Sequence, residues 1–534
     1  MRQYTLTIVD ASGVQDYIFG TNNLKQNVGA SYLVECATRG WMAEALPRQH
    51  NVTAIDSDPP FTDQRIEDGR LKAELLYAGG GNTAILFASR DLAIDFAHRL
   101  TRRVLLEAPG LRLNLVHHEF DWDAEALGGS SGAMKAAFDL LFRRKEEQSR
   151  PWPTLGLSVT AACVYTGLPA IDEVGEDEDR RLVSAEVLAK LEAERQAHGR
   201  LKEIISFHGY DVPKDLDDFG RTRGESSYIA LVHCDGNGMG KRIQKIRDSF
   251  TTAGSNRSFV VGLRRFSESI RTAALQALQS VVGALAGCVV EKEGKKVIAE
   301  VIEIRDNKLP FRPIVFGGDD VTFVCDGRLG LGLAAHYLQE FSRQELADGE
   351  VAHCRAGIAV VKTHYPFASA YKLADALCGS AKAYIRESQR PSDSENGLTA
   401  MDWHFATAGL LSGLDQIRSR QYTVNAGRLL MRPVRLTDPD KDWRSWDTFR
   451  QLASKFQNGE RWVARRNKVK SLRDALRAGP DSVRHFCEVY ETGPLPAIPG
   501  QPDMSTQGWQ GGRCGYFDAI EAMEFVIPIG EGTP

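Results

Sequence analysis

RPIVFGGDDVTFVCDG, residues 312–327, sets two apolar runs on either side of Gly317, Gly318, Asp319 and Asp320. That is a β-hairpin signal, because glycine supplies the positive φ a tight turn needs. Upstream, residues 228–240 read YIALVHCDGNGMG, an apolar strand followed by a glycine-rich turn, which puts Asp235 84 positions before Asp319. Between the two, residues 258–285 predict a long helix with Leu263, Phe266, Ile270 and Leu278 on one side. After the hairpin, 330–346 is helical, 354–364 (CRAGIAVVKTH) is a strand, and a further helix runs through Ala381 and Lys382. The element order is β-α-β-β-α-β, the ferredoxin-like arrangement used by palm domains.

The same order is legible nearer the N-terminus. YTLTIVD (4–10) is a strand, ASYLVECATRGWMAEAL (30–46) has helical spacing, and ELLYAGGGNTAILFA (74–88) is a hairpin broken by glycines. DLAIDFAHRLTRRVLLEA (91–108) and LRLNLVHHEF (111–120) complete the set as helix and strand. An internal repeat of this kind predicts an α+β chain with two tandem ferredoxin-like palm domains. The first, degenerate palm is placed at 1–120 with GGGN at its hairpin, a helical linker module at 121–225, the second palm at 226–400 with GGDD, and a C-terminal helical domain at 401–534. The acidic stretch 172–179 within the linker module reads as a solvated loop.

Composition narrows the function classes. A chain of 534 residues, 43% hydrophobic and 25% charged, is ordinary globular protein, and its formal net charge of -4 argues against coating nucleic acid by bulk electrostatics. Positive charge is nonetheless concentrated between Trp403 and Cys487, with 17 Lys or Arg against 8 Asp or Glu. Nine cysteines without a CxxC pair suit a reducing compartment, and Cys163 reads as a buried structural thiol. The N-terminus lacks a signal-peptide pattern and no run approaches the roughly 18 apolar residues of a membrane span, so a cytoplasmic chain without membrane contact is expected.

The chemistry follows from the strand ends. In a ferredoxin-like sheet the first strand and the hairpin are neighbours, so Asp235, Asp319 and Asp320 converge. Three carboxylates repel as bare charges but suit Mg²⁺ or Mn²⁺, which prefer hard oxygen ligands. Two ions roughly 3.5–4 Å apart can activate a hydroxyl and stabilise a pyrophosphate leaving group, so the predicted reaction is nucleotidyl transfer. Gly236, Asn237, Gly238 and Gly240 follow the first carboxylate, where backbone N–H groups can face a triphosphate. Gly317 and Gly318 leave room for a base or ribose, and Lys382 is placed to meet terminal phosphate oxygens as a point charge. His233 and His364, beside strands, read as satisfied polar groups.

DASGVQDYIFGTNNLKQNVGASYLVE (10–35), with YAGGGN (77–82) downstream, resembles the first palm of the polymerase-cyclase large subunit of type III CRISPR effector complexes, the Csm/Cmr palm-domain family. HCDGNGMG (233–240), FGGDD (316–320) and the Ala381-Lys382 pair look like that family's second palm. The resemblance implies cyclic or linear oligoadenylate synthesis from ATP in antiviral defence, with Asp235, Asp319 and Asp320 holding two Mg²⁺. It also implies a second ATP bound without catalysis at the first palm, where Gly80 and Gly81 stand. The HD nuclease often found ahead of the first palm is not expected in this chain, nor is DNA cleavage. The zinc element usual between the palms is reduced to Cys163, so no zinc is carried over. Two other readings compete. One is an RNA-binding scaffold whose basic C-terminal region grips guide-target RNA or neighbouring effector subunits. The other is a diguanylate-cyclase-like enzyme, against which the tandem arrangement argues.

Overall fold

The computed structural model describes residues 2–53, 60–79, 81–148, 159–219, 227–388, 397–406, 413–437, 442–463, 465–527 and 529. The chain is mixed α+β, as its sequence predicts. Strand β1 (Gln3–Ser12), helix α1 (Leu24–Glu35), strands β2 (Ala73–Gly79) and β3 (Asn82–Phe87), helix α2 (Arg90–Glu107) and strand β4 (Arg112–Asp121) succeed one another. In space the strands lie in the order β2-β3-β1-β4, every neighbouring pair antiparallel. The helical stretch read across 30–46 is continuous except at Cys36–Gly40, where a π-turn links α1 to a short helix at Trp41–Ala45.

Alternation along β1 explains why both faces of this sheet are covered. Leu6 and Ile8 enter one cluster with Met134, Ala137 and Leu141 of helix α3 (Ala133–Gln148), whereas Val9 enters another with Phe96 and Leu100 of α2. Helix α4 (Ala185–Ile204) then packs on α1, and its buried Lys190 donates to Tyr17 O at 2.7 Å and pairs with Glu186 at 2.6 Å. The acidic stretch expected as loop is exposed, but part of it is ordered: Asp172–Val174 pairs with Arg181–Val183 around Gly175, whose φ of +98° permits the turn. Cys163 is buried beside Val183 and Val187.

A second sheet is built from β5 (Tyr228–Gly236), followed by α5 (Met239–Asp248) and α6 (Asn256–Gly287), then β6 (Phe311–Val315), β7 (Val321–Asp326), α7 (Gly330–Phe341), β8 (Cys354–Lys362) and α8 (Phe367–Ser388). Its strand order starts as β6-β7-β5-β8, the order of the first sheet. It continues past residue 400 with β9 (Ala400–Ala406), parallel to β8, and β10 (Val434–Arg435), antiparallel to β9. Residues beyond 400 therefore finish this sheet before turning to helices at Trp446–Asn458, Arg466–Ala478, Pro480–Val489 and Phe517–Ala522.

The two sheets share packing. Ile229 and Leu231 of β5, Val324 of β7 and Val361 of β8 belong to the same cluster as Val9, Ile85 and Phe96. Ala230, Val232, Phe323 and Ile358 point the other way, onto Phe266 and Ile270 of α6 and Leu333 of α7. Helix α8 lies flush on β8 because position 357 is glycine: a Cβ there would sit 1.9 Å from Ala374 O and 2.4 Å from Cys378 N. The same helix is pinned to the first unit, since Phe19 stacks on Tyr371 with ring centroids 3.9 Å apart and Phe367 N donates to Asn22 Oδ1 at 2.8 Å. No described helix is long and apolar enough to cross a membrane.

Candidate functional site

Asp235 is the penultimate residue of β5, and the register of β5 with β7, Cys234 opposite Val321, brings the hairpin tip over it. Gly236 N donates to Asp319 O at 3.1 Å, which ties the first-strand turn to the hairpin. Glycine is required at 236 because a Cβ there would lie 2.8 Å from Asp319 Cβ and 3.0 Å from the Met239 side chain. Gly317 takes a φ of +99° to turn the chain into Gly318, Asp319 and Asp320. The structure therefore does gather Asp235, Asp319 and Asp320 at adjoining strand ends.

Electrostatics follow from that gathering. The Asp319 carboxyl is pushed up to about 6, by burial first and then by the charges of Asp235 and Asp320. Asp235 is also raised, mainly by burial, with Asp320 adding to the shift and Arg355 opposing it. Asp320 Oδ1 is buried and makes no hydrogen bond; His233 Nδ1 stands 3.3 Å away, an electrostatic contact, and is 3.2 Å from Thr322 Oγ1. His233 Nε2 is 3.7 Å from Asp375 Oδ1 on α8. Burial works to lower the imidazole pKa, but Asp320, Asp235 and Asp375 together raise it above its ordinary value.

Among the described residues, no three His, Cys, Asp or Glu side chains stand ready-arranged around a metal ion. The donors still suit one: hard carboxylate oxygens that the fold brings together, and in Asp320 Oδ1 a buried acceptor that makes no hydrogen bond. Asp235, Asp319 and Asp320 are the residues that would hold a divalent cation.

The neighbouring glycines and asparagine behave differently from expectation. Gly236 and Asn237 do not offer free backbone amides, because Gly236 N is bonded to Asp319 O and Asn237 N donates to His353 O at 2.8 Å. Asn237 also commits its side chain, with Nδ2 donating to Leu398 O at 2.7 Å and Oδ1 accepting from Arg355 Nη1 at 2.8 Å. Local sequence could not foresee this, since both partners arrive from strand and loop more than a hundred residues away. Gly238, with φ of +68°, opens helix α5, so Gly240 falls in its first turn, at the positive end of the helix dipole. Lys382 is exposed on α8, and its charge acts on Asp235.

Two further residues at the site, Arg355 and Asp375, went unread in the sequence. Arg355 lies opposite Asp235 in the β5–β8 register, with its guanidinium against Asp235 Oδ2. Asp375 and Lys382, seven positions apart on α8, share a helical face. In the first sheet Ala11 N donates to Gly81 O at 2.9 Å, repeating the Gly236 bond to Asp319. By that correspondence Asp10 stands where Asp235 does, and Gly81 and Asn82 replace Asp319 and Asp320. Gly81 has a φ of +79°, and Gly80 lies outside the described residues.

No family model matches the chain, and no curated protein matches it. Solved structures do. A crystal structure of a Csm1-Csm4 cassette in complex with AMPPNP is similar with a TM-score of 0.53 at 11% identity, over 98% of this chain and 70% of that one. One in complex with pppApA gives 0.53 at 9% identity, over 98% and 69%. The crystal structure of Csm1 in T.onnurineus gives 0.51 at 11% identity, over 98% and 70%. Over nearly its whole length this chain has the fold seen in the Csm1 structures, the large-subunit fold to which its motifs pointed.

Proposed function

We propose that the chain is a Mg²⁺-dependent nucleotidyltransferase that makes cyclic or linear oligoadenylates from ATP, with its two sheets acting as tandem ferredoxin-like palms. The single observation that carries this reading is the bond from Gly236 N to Asp319 O, which holds Asp235 and the Asp319-Asp320 pair together at the strand ends. It is supported by likeness in fold to Csm1-Csm4 cassettes solved with AMPPNP and pppApA. Repetition of the strand order and of the hairpin bond supports two palms.

In this reading Asp235, Asp319 and Asp320 bind the cations. Mg²⁺, when bound, would activate the attacking hydroxyl and neutralise the leaving pyrophosphate. Lys382 faces the same site as a point charge for phosphate oxygens. The first turn of α5 offers its amide dipole to a further phosphate. Arg355 fixes Asp235, and the His233 imidazole adds a charge beside Asp320 from the buried side when protonated. The first palm, reduced to Asp10, Gly81 and Asn82, holds a second nucleotide and supplies no carboxylate pair. Partners of the Csm type fit this reading, as does a cytoplasmic location.

The test is pyrophosphate release from each of the four NTPs with Mg²⁺ or Mn²⁺, without and then with target RNA and effector subunits. Release from ATP supports the reading. Absence of release under every condition contradicts it.

A further inference from the structure

The aspartate near the end of the first strand already carries a basic partner in both halves of the molecule. Asp10 Oδ2 meets Lys145 Nζ of α3 at 2.6 Å and accepts from Ser12 Oγ at 3.1 Å. Asp235 meets Arg355, which comes from the adjacent strand rather than from a helix. The strand residue that lies opposite Asp10, Asn114, donates to Ser12 Oγ at 2.7 Å instead. The guanidinium on Asp235 is thus a feature of the second site alone.

Arg355 is held firmly there. Its side chain is 7% exposed, Nη2 abuts Asp235 Oδ2, and Nη1 donates to Asn237 Oδ1 at 2.8 Å and Gly236 O at 3.3 Å. Its Nε is buried without a hydrogen bond, so releasing Asp235 would strip a cation already short of partners. A guanidinium stays charged at any working pH and has donors only. A divalent cation approaching the cluster must share Asp235 with that charge or displace it, and either course weakens binding. The charges facing the site are Asp235, Asp319, Asp320 and Asp375 against Arg355, Lys382 and the His233 imidazole.

We infer that Arg355, wedged between Asp235 and the Gly236-Asn237 turn, is a positioning residue that withholds Asp235 from divalent cations until a nucleoside triphosphate brings its own negative charge. Cation and nucleotide then enter as one unit. This rests on reading the site as a metal-dependent nucleotidyltransferase.

Mn²⁺ binding by the full chain without nucleotide, followed by electron paramagnetic resonance of the free ion, tests it. Arg355→Gln tightens Mn²⁺ about tenfold, the effect of removing one like charge a few ångströms away. Arg355→Lys keeps the charge but cannot span Asp235, Gly236 O and Asn237 Oδ1 together, so it frees Asp235 only in part and tightens Mn²⁺ by less, about threefold. A folded Arg355→Gln that binds Mn²⁺ no tighter than wild type overturns the inference; should that variant not fold, the same outcome in Arg355→Lys does so. An Asp319→Asn, Asp320→Asn variant separates the failures. Mn²⁺ lost in that variant yet indifferent to Arg355 overturns this role alone, whereas Mn²⁺ that survives there overturns the reading of the site as well.

Discussion

Asp319 concentrates the physical conflict of the site in one side chain. Its carboxyl ionises near 6 in the folded chain against an ordinary value of 3.8, because burial and two neighbouring aspartates disfavour the charge. Folding therefore binds a proton between those pH values, and this group makes stability fall as pH rises through that window. The cost is absent below the lower value and complete above the upper one. Asp319→Asn should raise the melting temperature of the metal-free protein at pH 7.5, by roughly 1–2 °C for a chain of this size, and the gain should shrink to roughly a third of that at pH 4.5. Scanning calorimetry at both pH values checks it; an equal gain at both would remove the electrostatic explanation. Asp235, Asp319 and Asp320 were legible because acidic residues next to glycine turns leave a local signature. Arg355 left none, since the sheet register that sets it opposite Asp235, 120 positions away, is a tertiary fact.

Among the elements, helix α8 does most to shape the site, because it carries Asp375 and Lys382 and lies against both β8 and Phe19 of the first unit. Its closeness depends on Gly357. Gly357→Ala should push the helix outward, destabilise the protein by about 1–3 kcal/mol as overpacking does, and weaken nucleotide binding through Lys382. Urea unfolding and a nucleotide titration check the two effects, and a variant with wild-type stability would show that α8 adjusts freely. The strands, the hairpins and the long helix α6 were readable from periodicity, as apolar runs such as YIALV and the stripe of Leu263, Phe266 and Ile270 show. Strands β9 and β10 were not, because Ala400–Ala406 contains polar Asp402 and His404 that the fold buries, Asp402 against Arg418 at 2.7 Å. Burying charge in a strand defeats a reading based on alternation.

At the scale of the whole molecule, two units joined by a common core put the GGDD tip and its degenerate counterpart into one body, and a basic helix packs its apolar residues into the core cluster of the second sheet. In Arg466–Ala478, Val469, Leu472 and Leu476 are buried while Arg466, Lys470, Arg473 and Arg477 face outward. If that face holds RNA, binding should weaken steeply between 50 and 200 mM salt, by orders of magnitude when several phosphates are neutralised, and charge reversal at Lys470 and Arg473 should flatten the slope. A fluorescence anisotropy titration at several salt concentrations measures it; a flat response in wild type would leave the face as a solvated surface. The repeat of element order was visible in sequence, but the equivalence of Asp10 with Asp235 emerged only from matching hydrogen bonds, Ala11 to Gly81 and Gly236 to Asp319. Joining of nucleotides is the reaction proposed for the second unit. Its most direct test is mass spectrometry of the products formed from ATP and Mg²⁺ by the wild type and by an Asp319→Ala, Asp320→Ala variant, each with target RNA and effector subunits supplied. Oligoadenylate is expected from the wild type and none from the variant; oligoadenylate from both would overturn the assignment of catalysis to the Asp319-Asp320 pair.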